Sequence, residues 1–314
     1  MRRRLWSQII SIDSRAAEDH GILTAGLDSF HDTKLPANVD DCDLFPGMEI
    51  APSSKPKFTE MMFFLIAAEM NKAIGQISRL SAVGLNNSDK ATSLEQILQS
   101  VKTNLEGKYL RYCDENIPIQ RATALLGRVQ VGKVEVFIRQ QKLKGFSWDD
   151  SAAEACEKTF SLACDTAEAG LKLETDELLS NFSWLFSSYP QYHMLTYILW
   201  HLCVRPEAPG TDRAWDVVNK SFDNSIAADW QNNGQKWNVL RKLREKALDV
   251  RRSLSANNAE KGSTLSDAPS LQSENIGHDA FNMDFGDETL WDINSYFPDL
   301  AAFYPVSSIQ GWSL

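Results

Sequence analysis

Apolar residues in this chain recur every three or four positions and nowhere in a clean alternation of two, a pattern that packs as helix on helix and not as sheet. Leu5, Ile9, Ile12 and Ala16 fall on one face of a helix over residues 2–19, with Gly21 as its stop. Residues 23–57, rich in Pro, Asp and Asn, read as a long irregular loop. The run Met61-Met62-Phe63-Phe64-Leu65-Ile66 is apolar nearly all round and predicts a buried helix, with Thr59 placed to cap it. Ser93 and Gln96 have capping-box spacing and open a helix to about Cys113. Pro118 suits a first helical turn, and a long helix follows to Lys142, weakened by Gly127 and Gly132. Further helices are predicted over residues 150–173, 176–186, 192–204, 212–222 and 237–254. The expected fold class is all-α, an irregular multi-helix domain over residues 1–255 followed by a disordered acidic tail at 256–314.

Charge divides the chain at the same place. Lys261 is the last basic residue, and eight carboxylates follow it, so the tail holds −8 of the formal −10 and the body is close to neutral. A near-neutral body is a poor partner for phosphate backbones, and no direct nucleic-acid binding is expected. The five cysteines (Cys42, Cys113, Cys156, Cys164 and Cys203) are scattered without a C-x-x-C, which supports neither a zinc cluster nor a disulfide framework and fits a reducing compartment. The first residues lack an apolar signal core, and the longest apolar stretches are too short or too interrupted to span a bilayer. A soluble intracellular protein without membrane contact is expected.

Few residues carry a catalytic pattern. Asp40, Asp41 and Asp43, with Asp32 nearby, form the densest carboxylate group of the body, an arrangement that in some helical enzymes holds magnesium. Here they lie in a loop between Pro36 and Pro46, where Asp is favoured for its backbone hydrogen bonds. His20, His31, His193, His201 and His278 have no metal-ligand spacing, and the stretch from Gly127 to Gly132 follows no strand and cradles no phosphate. The aromatic helix expected over residues 182–200 reads as core, with a small-molecule pocket as the rival reading. Arg241, Lys242, Arg244, Lys246, Arg251 and Arg252 decorate a helix whose apolar stripe is Leu240, Leu243, Ala247 and Val250, a surface helix of the body. In the tail, Phe281, Phe285, Trp291, Tyr296 and Phe297 interleave with acids that keep them solvated. A partner groove takes up such a segment as a short amphipathic helix, or the tail docks back on the body.

Arg2-Arg3-Arg4-Leu5-Trp6 leads through Ile12-Asp13-Ser14-Arg15 to a loop that opens Asp32-Thr33-Lys34-Leu35-Pro36 and continues to Asn38, Asp40 and Asp41. Phe58-Thr59-Glu60-Met61-Met62-Phe63 and Glu69-Met70 follow. This succession resembles the middle regulatory region of fungal zinc-cluster transcription factors, whose "RRRLWW…LDxRxxE" helix precedes a "DTKLP-x-N-x-D-D" loop and a "T-x-M-x-F-x-L-I-x-x-E" helix. The motif positions are Arg2, Arg3, Arg4, Trp6, Asp13, Arg15, Asp32, Leu35, Pro36 and Asp40. The resemblance covers about the first 80 residues. It implies a helical regulatory domain, nuclear location, and contacts with a coactivator or a related transcription factor. A small-molecule effector and DNA binding through a zinc cluster are also implied. No residues of this chain match that cluster, so no cofactor is expected in it, and zinc belongs only to a cluster encoded elsewhere. Helices that precede the motif in the family are expected to be missing, leaving the Leu5/Ile9/Ile12 face open and prone to self-association.

The expected function is therefore transcription regulation by a fragment of such a factor. It would act without catalysis, through protein contacts and an acidic activation tail. The alternatives are a stand-alone protein that titrates its relatives, and a helical enzyme or ligand-binding protein of secondary metabolism built around the Asp40–Asp43 loop.

Overall fold

A computed structural model describes residues 1–20, 32–49, 52–82, 87–143, 150–186, 191–227 and 235–262, and among the described residues all regular structure is helical. The all-α expectation holds. In order the helices are α1 (Arg2–His20), α2 (Met62–Ala82), α3 (Asn87–Lys108), α4 (Pro118–Leu143), α5 (Asp150–Thr175), α6 (Ser183–Phe186), α7 (Tyr192–Val204), α8 (Thr211–Ala227) and α9 (Gln235–Gly262). Short 3-10 segments lie at Asp41–Asp43, Leu110–Tyr112 and Glu177–Phe182. The described residues group into two compact units: those within 1–147 and 165–190, and those within 148–164 and 191–262.

In the first unit α2, α3 and α4 pack pairwise and α1 lies on α2. Met62, Ile66, Met70 and Ile77 on α2 meet Leu94, Leu98 and Leu105 on α3 and Val134 and Ile138 on α4, each row spaced by four or seven residues so that one stripe per helix is buried. A smaller cluster joins Ala122, Leu125 and Val129 of α4 to Leu173, Leu179 and Phe186. Arg121 holds the entry to it, donating from Nε to Asp176 at 2.6 Å while the other Asp176 oxygen accepts from the Leu178 amide at 3.0 Å.

Several boundaries depart from the sequence reading for physical reasons. α3 begins at Asn87, not Ser93, because its first turns are largely exposed and carry no apolar stripe to read. Residues 176–186 form a 3-10 segment and then the single turn α6, and residues 182–200 are not one helix. Ser180, Asn181 and Ser183 there are residue types whose side chains compete with a helical backbone for hydrogen bonds.

Gly127 and Gly132 do not interrupt α4; they let neighbours approach it. A Cβ on Gly132 would sit 2.2 Å from Thr166 Oγ1, and one on Gly127 would sit 2.7 Å from the end of the flexible Leu110 side chain. Gly132→Ala is therefore expected to destabilise the fold by about 1–3 kcal/mol despite the better helix propensity of alanine. Gly127→Ala should lie within about 1 kcal/mol of wild type, since Leu110 can turn aside. Urea denaturation of the two variants is the measurement, and equal responses would show that the Thr166 approach is not what demands glycine.

In the second unit α7 is the centre, packed by α9 and α8, and buried along most of its length from Met194 to Cys203. Phe160 of α5 lies flat on His201 with ring centroids 3.8 Å apart, and Trp237 of α9 meets Phe222 of α8 at 4.7 Å. Leu240, Leu243 and Ala247 are buried while Arg241, Arg251 and Arg252 face solvent, the arrangement expected of that basic helix. Arg244 stacks on Phe222 at 4.6 Å. All five cysteines are free thiols.

Candidate functional site: the amino-terminal helix and its loop

The motif residues are brought together by α1 and the loop that precedes α2. Asn38 is the hub. Its backbone exchanges bonds with the far side of the loop, donating to Ser54 Oγ at 3.0 Å and accepting from Lys55 N at 2.8 Å. The Asn38 side-chain amide donates to the carbonyls of Lys55 and Lys57 at 2.8 and 3.0 Å. Its oxygen accepts from the Thr59 hydroxyl at 2.6 Å. Two carbonyls and one hydroxyl fix which end of the amide is which. Thr59 thus gives its hydroxyl proton to the loop instead of acting simply as a cap for α2.

The acids around Asn38 are taken up locally. Asp43 accepts from the Asp40 amide at 3.0 Å and from Lys55 Nζ at 2.6 Å; the Lys55 ammonium beside it holds the Asp43 carboxyl below the usual carboxylate range and is itself raised. Asp40 pairs with Lys57 at 3.0 Å and accepts from the Glu60 amide at 3.3 Å, and Glu60 accepts from the Asp41 amide at 2.9 Å. This is a capped turn whose carboxylates already serve lysines and backbone. Among the described residues no group of three or more His, Cys, Asp or Glu side chains has a metal-holding arrangement.

α1 divides the arginine cluster by role. Arg4 reaches the loop, pairing with Asp41 and donating to the Val39 carbonyl at 3.2 Å, whereas Arg2 and Arg3 are exposed. Trp6 and Asp13 are half-buried; Arg15 lies on α1 in the stretch where only the backbone is described. Ser7 and Ile10 are buried, and Ser11 accepts from Asn71 of α2 at 3.1 Å. The opposite face is open: Leu5 is 66% exposed, Ile9 41% and Ile12 59%. In the loop Asp32 is exposed, Pro36 is buried and Leu35 packs on the α2–α3–α4 core. Asn38 stands in the loop pattern quoted from the sequence but is absent from the motif positions singled out there; its hub role comes from the hydrogen bonds that only the fold shows.

The remaining candidates separate. Tyr197, Trp200 and His201 stack among themselves and on Phe160 inside the second unit, as core aromatics do. Both ring nitrogens of His201 are buried without a hydrogen-bond partner, and burial together with the nearby Arg205 pushes its pKa down to about 3. Phe281, Phe285, Trp291, Tyr296 and Phe297 lie outside the described residues. No described helix is long and apolar enough to cross a membrane.

Comparison with known proteins finds this chain similar to fungal transcription regulators. The chain is 22% identical over 228 residues to the aurofusarin cluster transcription factor aurR2 of Gibberella zeae, covering 71% of this chain and 34% of that protein. It is 27% identical over 234 residues to the transcriptional regulator AacuB of Aspergillus aculeatus, covering 71% and 31%. It is 32% identical over 148 residues to the C6 finger domain transcription factor hasF of Aspergillus fumigatus, covering 41% and 19%. The chain thus spans about a third of the length of the first two relatives. No family model matches it, and no solved structure matches it. The homologues are transcription factors and not enzymes, in keeping with the family resemblance of the first residues.

Proposed function

We propose that this chain, a homologue of fungal zinc-cluster transcription factors, regulates the transcription of a secondary-metabolite gene cluster through protein contacts. The observation that carries the reading is its similarity, over 71% and 69% of its length, to an aurofusarin cluster transcription factor and to a pyriculol/pyriculariol biosynthesis cluster transcription factor. The helical body of residues 1–255 is the regulatory part, and residues 256–314 form the activation segment. In that segment eight acids keep Phe281, Phe285, Trp291, Tyr296 and Phe297 in water until a coactivator groove takes them up. Contact with DNA falls to a zinc cluster that these residues do not form, because the body carries a formal charge near zero. The protein acts in the nucleus, and a metabolite effector would bias the body's contacts.

A reporter assay tests this. The full chain fused to an unrelated DNA-binding domain should activate transcription, and ending the chain at Lys261 should return the signal to that of the DNA-binding domain alone. Replacing the five tail aromatics by alanine in the full chain should do the same without touching the body. Activation that survives both changes would sink the tail reading.

A further inference from the structure

We propose that Ser255, on the solvent side of α9, accepts a phosphoryl group from a protein kinase whose substrate groove is lined with carboxylates. The basic run of α9 ends in Val250-Arg251-Arg252-Ser253-Leu254-Ser255. Arg252 stands three residues before Ser255 and Arg251 four, within reach of the acids of such a groove when the segment is bound extended. The fold leaves this segment accessible. Among the described side chains of α9 the last to be buried is Ala247; from Asp249 to Ala256 none is, and Ser255 itself is exposed. A short helical stretch without a packed face is marginal in water, so it opens at little cost and can be taken up extended.

Geometry selects Ser255 over Ser253. Both are exposed, and both hydroxyls donate to the carbonyl one turn back, Ser253 to Asp249 and Ser255 to Arg251, each at 3.0 Å. Side chains three and four apart are neighbours on a helix. A phosphate on Ser253 would therefore stand over the Asp249 carboxylate, while one on Ser255 would stand over Arg251 and Arg252 together. With a charge of about −1.5 to −2 and three acceptor oxygens, the Ser255 phosphate takes both guanidinium groups as partners. Arg251 can turn to it, because its link to Asp212 of α8 is 3.7 Å long between side chains 52% and 99% exposed, a pair that water screens. Arg252 has donors to spare beyond its 2.9 Å bond to Asp249.

In the transfer, Ser255 Oγ attacks the γ-phosphorus of magnesium-bound ATP. The bond from that phosphorus to the bridging oxygen breaks, ADP leaves, and the hydroxyl proton passes to the catalytic carboxylate of the kinase. The product adds negative charge just ahead of the acidic residues that follow Lys261.

The full chain is incubated with magnesium, ATP and a calmodulin-dependent protein kinase, an enzyme that reads arginine three residues before its serine. It should take up phosphate at Ser255, located by peptide mass spectrometry. Ser255→Ala should abolish uptake in this segment, Ser253→Ala should leave it, and Arg252→Ala should slow it at least about tenfold. By phosphorus NMR, the second ionisation of the phosphoserine should fall about half a unit below its ordinary value near 6, and Arg251→Ala should return it toward that value. No uptake at Ser255, transfer to Ser253 in its place, or a rate indifferent to Arg252→Ala would overturn the site. A second ionisation at the ordinary value would overturn the pairing with Arg251 and Arg252. Uptake is read on the chain alone, so its failure is distinct from that of the reporter assay.

Discussion

Lowering the pH from 7 to 4 is expected to remove about 3 kcal/mol of stability through His201 alone. The imidazole is fully buried, lies flat on Phe160, and has a pKa pushed from 6.5 to about 3 by burial and then by Arg205. The unfolded chain takes up the histidine proton below about pH 6.5, and the folded chain refuses it until about pH 3. In that window the unfolded state binds more protons, so stability falls as pH falls and is complete above the upper limit. His201→Phe keeps a flat ring against Phe160 and removes two unpartnered nitrogens. At pH 7 it should be more stable than wild type by about 1–3 kcal/mol, and the difference should widen on acidification. Denaturation midpoints of the two proteins at pH 7, 5 and 4 measure this. Parallel pH profiles would mean that His201 is not what sets the acid sensitivity.

Asn38→Ala should cost about 3 kcal/mol, a large effect for a loop residue. The substitution leaves the buried Thr59 hydroxyl and the Lys55 and Lys57 carbonyls without the amide that joins them. Removing one member of a satisfied buried network exposes the desolvation penalty of all the groups it served. Asn38→Asp should be worse than Ala, because a carboxylate would face two carbonyl oxygens with no proton to offer. The effect should reach α1, since Arg4 is anchored by Asp41 and the Val39 carbonyl, the residues next to this hub. Urea denaturation gives the loss in stability, and limited proteolysis should show new cleavage between residues 38 and 60. If Asn38→Ala melts like wild type, the loop is held by its apolar contacts at Leu35 and Phe58 and not by the amide.

These expectations show where sequence reading had purchase. The α2 row from Met62 to Ile77 and the α9 stripe of Leu240, Leu243 and Ala247 are burial written as periodicity, and they were legible without coordinates. The first turns of α3 and the 3-10 segment Glu177–Phe182 were not. The first turns of α3 are polar, and in Glu177–Phe182 only Leu179 is buried, so neither stretch shows a repeating stripe of burial to read.

Sequence by itself determined that the described body is helical, that the chain's acid is concentrated after Lys261, and that its first residues resemble the regulatory region of fungal zinc-cluster transcription factors. These properties are local, or simple sums over residues, and need no neighbour in space. Tertiary structure alone decided which of three adjacent arginines anchors the loop, that Gly132 admits Thr166 instead of breaking α4, and that the His201 nitrogens are sealed without a hydrogen-bond partner. Each of those depends on a group distant in sequence, whose approach is set by how the helices pack.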